Sequence, residues 1–163
     1  MAIRNIRIST DEVLRKKCKE VKEITPNLLT LLDDMADTMY EANGVGLAAP
    51  QVGILRRVVL VINDEGTILE LINPEIIEES GEQDGLEGCL SVPGYYGFVT
   101  RPMFVKVRAQ NRHGEWVEHE GEELTARCFC HELAHLDGHL YTELADKLFT
   151  PEELETMMED EEE

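Results

Sequence analysis

Apolar residues recur at three- and four-residue steps in Leu28, Leu31, Leu32, Met35 and Met39, the spacing of one helical face. Thr25-Pro26 before them and Asn43-Gly44 after them mark the ends of an amphipathic helix with a core face. Upstream, Thr10 followed by Asp11 and Glu12 predicts a short charged surface helix running to about Cys18. From Arg56 the pattern changes to β-branched runs, Val58 to Ile62, Ile68 to Ile77 and Phe98 to Ala109, bounded by Asn, Gly and Pro. Around Phe104 to Arg108 the alternation is close to period two, so strands fill the middle of the chain. Trp116 to Glu120 adds a strand paired back through a turn at Asn111 to Gly114. Glu122 to Asp137 returns to helix, closed by Gly138. Leu124, Ala126, Cys128, Phe129, Leu133, Ala134 and Leu136 make that helix apolar on most sides, hence central to the core. A last helix opens at Thr150-Pro151-Glu152-Glu153, a capping box with Pro at the first helical position, and dissolves into Glu159 to Glu163.

Helices at both ends with strands between them, and no internal repeat, predict an α+β fold. Its antiparallel or mixed strands would pack around the central helix. The 163 residues suit one domain, residues 1–150, followed by an acidic C-terminal helix and tail at 151–163. Net charge is −19, and eight acids with no base lie between 152 and 163, so the body alone stands at −11. A phosphate backbone needs a basic footprint, so direct DNA binding is not expected. The longest apolar run, Val58 to Ile62, is too short to cross a bilayer, and the N-terminus has no apolar stretch of signal-peptide length. A soluble cytoplasmic protein without a membrane partner is expected. Cys18, Cys89, Cys128 and Cys130 show neither CxxC spacing nor the density of a disulfide scaffold, and are read as thiols, each packed or ligating.

Polar groups on the apolar helix need a reason, and His131-Glu132-Leu133-Ala134-His135 supplies one. Residues four apart lie one turn apart on the same face, so both imidazoles can reach one divalent ion while Glu132 stands close enough to exchange a proton with water there. A buried carboxylate and two imidazoles would otherwise lack partners. The third ligand decides the class. A third histidine at the spacing of one protease family is missing, because that position is Tyr141, and His139 is out of register. Glu143, Glu152 and Glu153 are available, but an acid-rich tail makes such a match nearly free. Cys89 is the remaining candidate. An endopeptidase or a metal-binding module without catalysis stays open on these residues alone.

Two glycine-rich segments, Gly44 to Gln51 and Glu87 to Pro93, are tight, small-residue stretches suited to close backbone approach to a ligand. With the HExxH helix they resemble the peptide deformylase family, whose motifs have the forms GxGLAAxQ, EGCLS and HExDH in this order. The resemblance spans Gly44 to Gly138. It implies a single catalytic domain in which strands surround the motif helix, and hydrolysis of the formyl group from N-formylmethionyl peptides with release of formate. It further implies Cys89, His131 and His135 as ligands of one divalent ion and Glu132 as the catalytic group. Gln51 and the backbone N–H of Leu90 would form the oxyanion hole. Ferrous iron in the cell is implied, with Zn²⁺, Ni²⁺ or Co²⁺ also suited to cysteine and histidine. The partners would be nascent chains at the ribosome, in a bacterial cytoplasm, and a monomer is expected.

On the helix, Leu124, Arg127 and Cys128 share the side of His131 and would wall the methionine slot, Arg127 through its methylene stem with its charge at the rim. Val45, Gly46 and Gly88 would offer backbone groups to the peptide. The chain departs from the family pattern at Ala134, where Asp is usual, and at Cys130, where Gln is usual. Neither is a ligand position, so the departure bears on the groups that orient the histidines. Some relatives end in a basic helix that could meet ribosomal RNA; here the segment from Pro151 to Glu163 has the opposite charge, which argues against its use in ribosome contact.

Overall fold

The computed structural model describes residues 2–162. Two elements start where the capping residues predict. Helix α1 covers Pro26–Glu41 with Thr25 accepting from Leu28 N, and α3 covers Pro151–Glu162, where Thr150 and Glu153 bond each other's backbone N–H. Helix α2 spans Leu124–Leu136, and Gly138 just beyond it adopts φ +82°. The strands are β1 (Gly46–Ala48), β2 (Val58–Ile62), β3 (Ile68–Ser80), β4 (Gln83–Cys89), β5 (Val92–Arg101), β6 (Phe104–Gln110), β7 (Trp116–Glu122) and β8 (Leu148–Phe149). They form a five-stranded sheet in the order β1-β2-β3-β6-β7 and a three-stranded sheet in the order β4-β5-β8, with antiparallel pairing throughout both. The fold is α+β, as expected.

The apolar run of β2 is continuous because both of its faces are covered. Val59 and Val61 point toward α2, in a cluster with Ala126, Phe129, Leu133 and Leu136. Val58 and Leu60 point the other way and pack on Leu28, Leu31, Leu32, Met35 and Met39 of α1. The larger sheet is therefore a wall between the two helices, and α2 is held against it at both ends. At its start, a Cβ on Gly121 would lie 2.5 Å from Thr125, so the chain turns tightly out of β7. At its end, Cys18 N and Arg57 both donate to the carbonyl of Leu136, and Arg57 pairs with Asp137. These bonds satisfy groups that a helix terminus leaves open.

Four expectations are corrected. The predicted helix from Thr10 to Cys18 is a single 3-10 turn, Glu12–Arg15, capped by Asp11. The run from Phe98 to Ala109 is two strands, broken at Pro102-Met103, where proline withholds a ladder donor. Cys89, placed by the sequence in a tight glycine-rich stretch with no strand predicted before it, ends a strand: β4 is polar and glycine-rich, so it carries no apolar alternation, and its pairing with β5 from Gln83–Arg101 onward defines it. The last helix does not dissolve at Glu159 but continues to Glu162. No helix among the described residues is long and apolar enough to cross a membrane.

Candidate active site

The end of β4 meets the middle of α2. There Cys89 Sγ and one ring nitrogen each from His131 and His135 lie within 4.8 Å of one another, with Sγ 3.4 Å from His135 Nε2. A thiol and two imidazoles, both rings buried, form a donor set suited to a borderline-soft divalent ion. Buried side-chain atoms without a hydrogen-bond partner, His135 Nδ1 and Glu132 Oε1, belong to the same cluster. The residues therefore fit a metal centre.

Glu87, two positions before Cys89, turns inward and organises the histidine side. Its Oε1 lies 2.8 Å from His131 Nδ1 and accepts from Arg101 Nη2, while Oε2 accepts from Arg101 Nε at 2.8 Å and Arg127 Nη1 at 2.6 Å. A carboxylate on Nδ1 fixes the ring and leaves Nε2 for a metal. Burial pushes the Glu87 carboxyl up, but its bonds to Arg101 and His131 prevail and hold it at about 2. Burial also opposes charge on His131, yet bonds to Cys89 and Glu87 outweigh it and raise that ring to about 10. His135 is held well below its ordinary value by burial and by the neighbouring positive charges of His131 and Arg101.

Glu132 sits on the cleft side. Burial first, and the charge of Glu87 further, raise it to about 7 against the pull of His131 and Arg101, so its carboxyl can both take and release a proton near neutrality. Gly46 of β1 covers it so closely that a Cβ there would stand 2.5 Å from Oε2. Gln51, in the 3-10 turn Ala49–Val52, is held by Ala48 N donating to its Oε1. Its amide donates to Ser91 Oγ at 3.1 Å and toward Cys89 Sγ at 3.6 Å. Tyr141 stacks on the His131 ring at 5.9 Å and donates to the Tyr95 carbonyl. The position that lacks a third histidine thus braces the first.

A cleft of about 510 Å³ opens onto this cluster, and Val45, Gly46, Gln51, Gly88, Cys89, Leu90, Leu124, Arg127, Cys128, His131 and Glu132 all line it. His135 lies behind, buried at 1% exposure. Arg127 differs from expectation. Its guanidinium is not at the rim but buried, bonding Glu87, the Val99 carbonyl and the Gln83 carbonyl, because Glu87 supplies an anion that the sequence reading left unassigned. Cys128 is a neutral wall, its thiol pushed by burial up to about 12. Cys130 packs in the core and Ala134 offers no side-chain partner to His135. His139 and Glu143 bond each other outside the cluster, and Glu152 and Glu153 are exposed on α3. A larger hollow of about 870 Å³, bounded by Arg4, Lys19, Leu28 and Arg56, shares no residue with the cleft.

Glu87, Arg101, Ser91 and Tyr141 are the residues that sequence reasoning missed. The usable signal for Glu87 and Ser91 was their place in the EGCLS motif around Cys89; Arg101 and Tyr141 carried none.

Comparison with known proteins identifies the family. The family model described as polypeptide deformylase matches residues 3–150. The peptide deformylase of Agathobacter rectalis is 64% identical over 143 residues, covering 88% of this chain and 90% of its own. The crystal structure of a peptide deformylase from Legionella pneumophila superposes with a TM-score of 0.84 at 43% identity, over 96% of this chain and 90% of that one. That from Thermotoga maritima does so with a TM-score of 0.85 at 40% identity, over 90% and 100%. The chain belongs to the polypeptide deformylase family, the metal-dependent hydrolases that remove the N-formyl group from newly made peptides.

Proposed function

We propose that this chain hydrolyses the formyl amide with Glu132 as the proton-transferring group and with Cys89, His131 and His135 holding one divalent ion. The observation that carries the reading is the convergence of three donor atoms within 4.8 Å beside a buried carboxyl raised to about 7. When bound, such an ion supplies Lewis acidity, bringing the pKa of water from about 15.7 toward about 7. Glu132 takes the proton from the attacking water and delivers it to the amine nitrogen as the C–N bond breaks, giving formate and a free N-terminus. Gln51 and the backbone N–H of Leu90 donate to the oxygen on which charge develops, each such donor being worth roughly a hundred- to a thousandfold in rate. Gln51 is preset for this, since Ala48 N and Ser91 Oγ fix its plane before substrate arrives.

The methionine side chain enters between Leu124 and Cys128, whose un-ionised thiol keeps that wall apolar, while Val45, Gly46 and Gly88 present backbone groups to the peptide. Arg127 contributes to the same wall, its charge neutralised by Glu87. The ion is ferrous iron in the cell, the protein acts as a cytoplasmic monomer on chains leaving the ribosome, and acidic α3 takes no part in docking there. Anaerobically prepared protein is expected to release formate from formyl-Met-Ala, and Glu132→Ala to abolish turnover with the metal still bound. Cleavage of internal peptide bonds without formate would overturn the reading. Metal analysis of the same preparation, paired with activity, tests the choice of iron.

A further inference from the structure

The cleft continues into a second chamber that the hydrolytic cluster does not use. β8 pairs with β5 at Tyr96–Phe149 and Gly97–Leu148, then passes through Thr150 into α3, so the acidic helix is fastened to the sheet that carries Cys89. Between helix and sheet lies a groove of about 480 Å³ bounded by Leu86, Tyr96, Leu154, Glu155, Met158 and Glu159. Leu86 and Tyr96 are also walls of the main cleft, which makes the groove its extension. The Tyr96 ring lies over Gly88, where a Cβ would stand 2.6 Å away, and so adjoins Cys89. Leu86 and Met158 are exposed, at 42% and 65%, Leu154 is half-buried, and among the described residues no Lys or Arg lines the groove.

A substrate seated with its formyl group at Cys89, His131 and His135 must lead its later residues out of the cleft, and the shared wall of Leu86 and Tyr96 is a route. Apolar side chains beneath two exposed carboxylates suit a long cationic side chain, whose methylene stem lies on apolar surface while its charged head stays in water. We propose that this groove is a distal subsite for the substrate peptide. It takes a lysine or arginine from the residues that follow formylmethionine, the stem on Leu86, Leu154 and Met158 and the head between Glu155 and Glu159. The inference rests on the deformylase reading above.

The test measures kcat/KM of the metal-loaded protein on formyl-Met-Ala peptides extended with alanine, with Lys, norleucine or Glu scanned from the third residue outward. Formyl-Met-Ala, too short to reach the groove, is each protein's own reference. Lys is expected to exceed Glu by about three- to tenfold at one or two adjacent positions, mainly through KM and less at high salt. The double variant E155K/E159K is expected to invert that preference at the same positions. A flat scan overturns the subsite. So does a Lys preference that is equal at every position and survives E155K/E159K, which is the signature of the molecule's overall negative field. Failure of the unaltered protein to release formate from formyl-Met-Ala overturns the deformylase reading itself, whereas formate with a flat scan overturns the subsite alone.

Discussion

Removing the carboxylate of Glu87 leaves Arg101 and Arg127 buried without their anion and releases the His131 ring from its bond at Nδ1. Glu87→Gln is therefore expected to weaken metal binding about ten- to a hundredfold and to cost about 3–5 kcal/mol, read by metal titration and by denaturant unfolding of one preparation. The same carboxyl sets an acid limit. Its value falls from 4.5 to about 2 on folding, so its stabilisation is complete above about pH 4.5 and is lost as pH drops toward 2. Unfolding of the metal-free chain should show that loss, on the order of 3 kcal/mol, and Glu87→Gln should flatten it. Gly46 acts on the other carboxyl: with 2.5 Å between a new Cβ and Glu132 Oε2, Gly46→Ala must displace the proposed proton-transferring group. Displacements of about 1 Å can cost about a hundredfold, so kcat should fall by about ten- to a hundredfold while metal content and unfolding midpoint stay put. An unchanged kcat would refute the placement of Glu132.

At the scale of elements, α1 and α2 play different parts although both pack on the same sheet. Leu32 of α1 is fully buried but belongs to the cluster on the sheet face opposite α2, and it does not line the cleft. Leu32→Ala should cost about 2–5 kcal/mol of stability and leave kcat/KM of the folded protein within about twofold, measured below the unfolding transition. Helices α1 and α3 were legible from the capping residues that open them and α2 from its apolar faces and the glycine beyond its end, and β2 because it is apolar on both faces. β4 was not, since its sequence QDGLEGC is written for the site: Gly85 leaves room for the Arg127 guanidinium, Gly88 for the Tyr96 ring, and Glu87 and Cys89 face inward. Propensity points away from a strand there, and only pairing with β5 overrides it. The three residues proposed as metal ligands, Cys89, His131 and His135, were legible through chain order and motif. The buried Glu87–Arg101–Arg127 network was not, because nothing in a linear pattern says that two arginines will share one carboxylate. That is why the charge of Arg127 was misplaced.

Across the whole molecule, the donor atoms belong to parts that pack separately. Cys89 sits in the small sheet, with its own apolar cluster of Val92, Val99 and Tyr141, while the histidines ride on the helix that covers the large sheet. Cys89 and His135 are 46 positions apart in the chain. An ion held by both is thus a cross-link as well as a reagent. At a hundred times its dissociation constant it adds about 2.7 kcal/mol to the folded state, so chelation should lower the melting temperature reversibly, by several degrees. The effect should also be local. Amide hydrogens of β4 and β5 should exchange faster when the ion is withdrawn, while those of β2, sealed between α1 and α2, keep their rates. Retention of the metal would then decide how long the small sheet stays closed, making the protein's lifetime against proteolysis a readout of its metal supply.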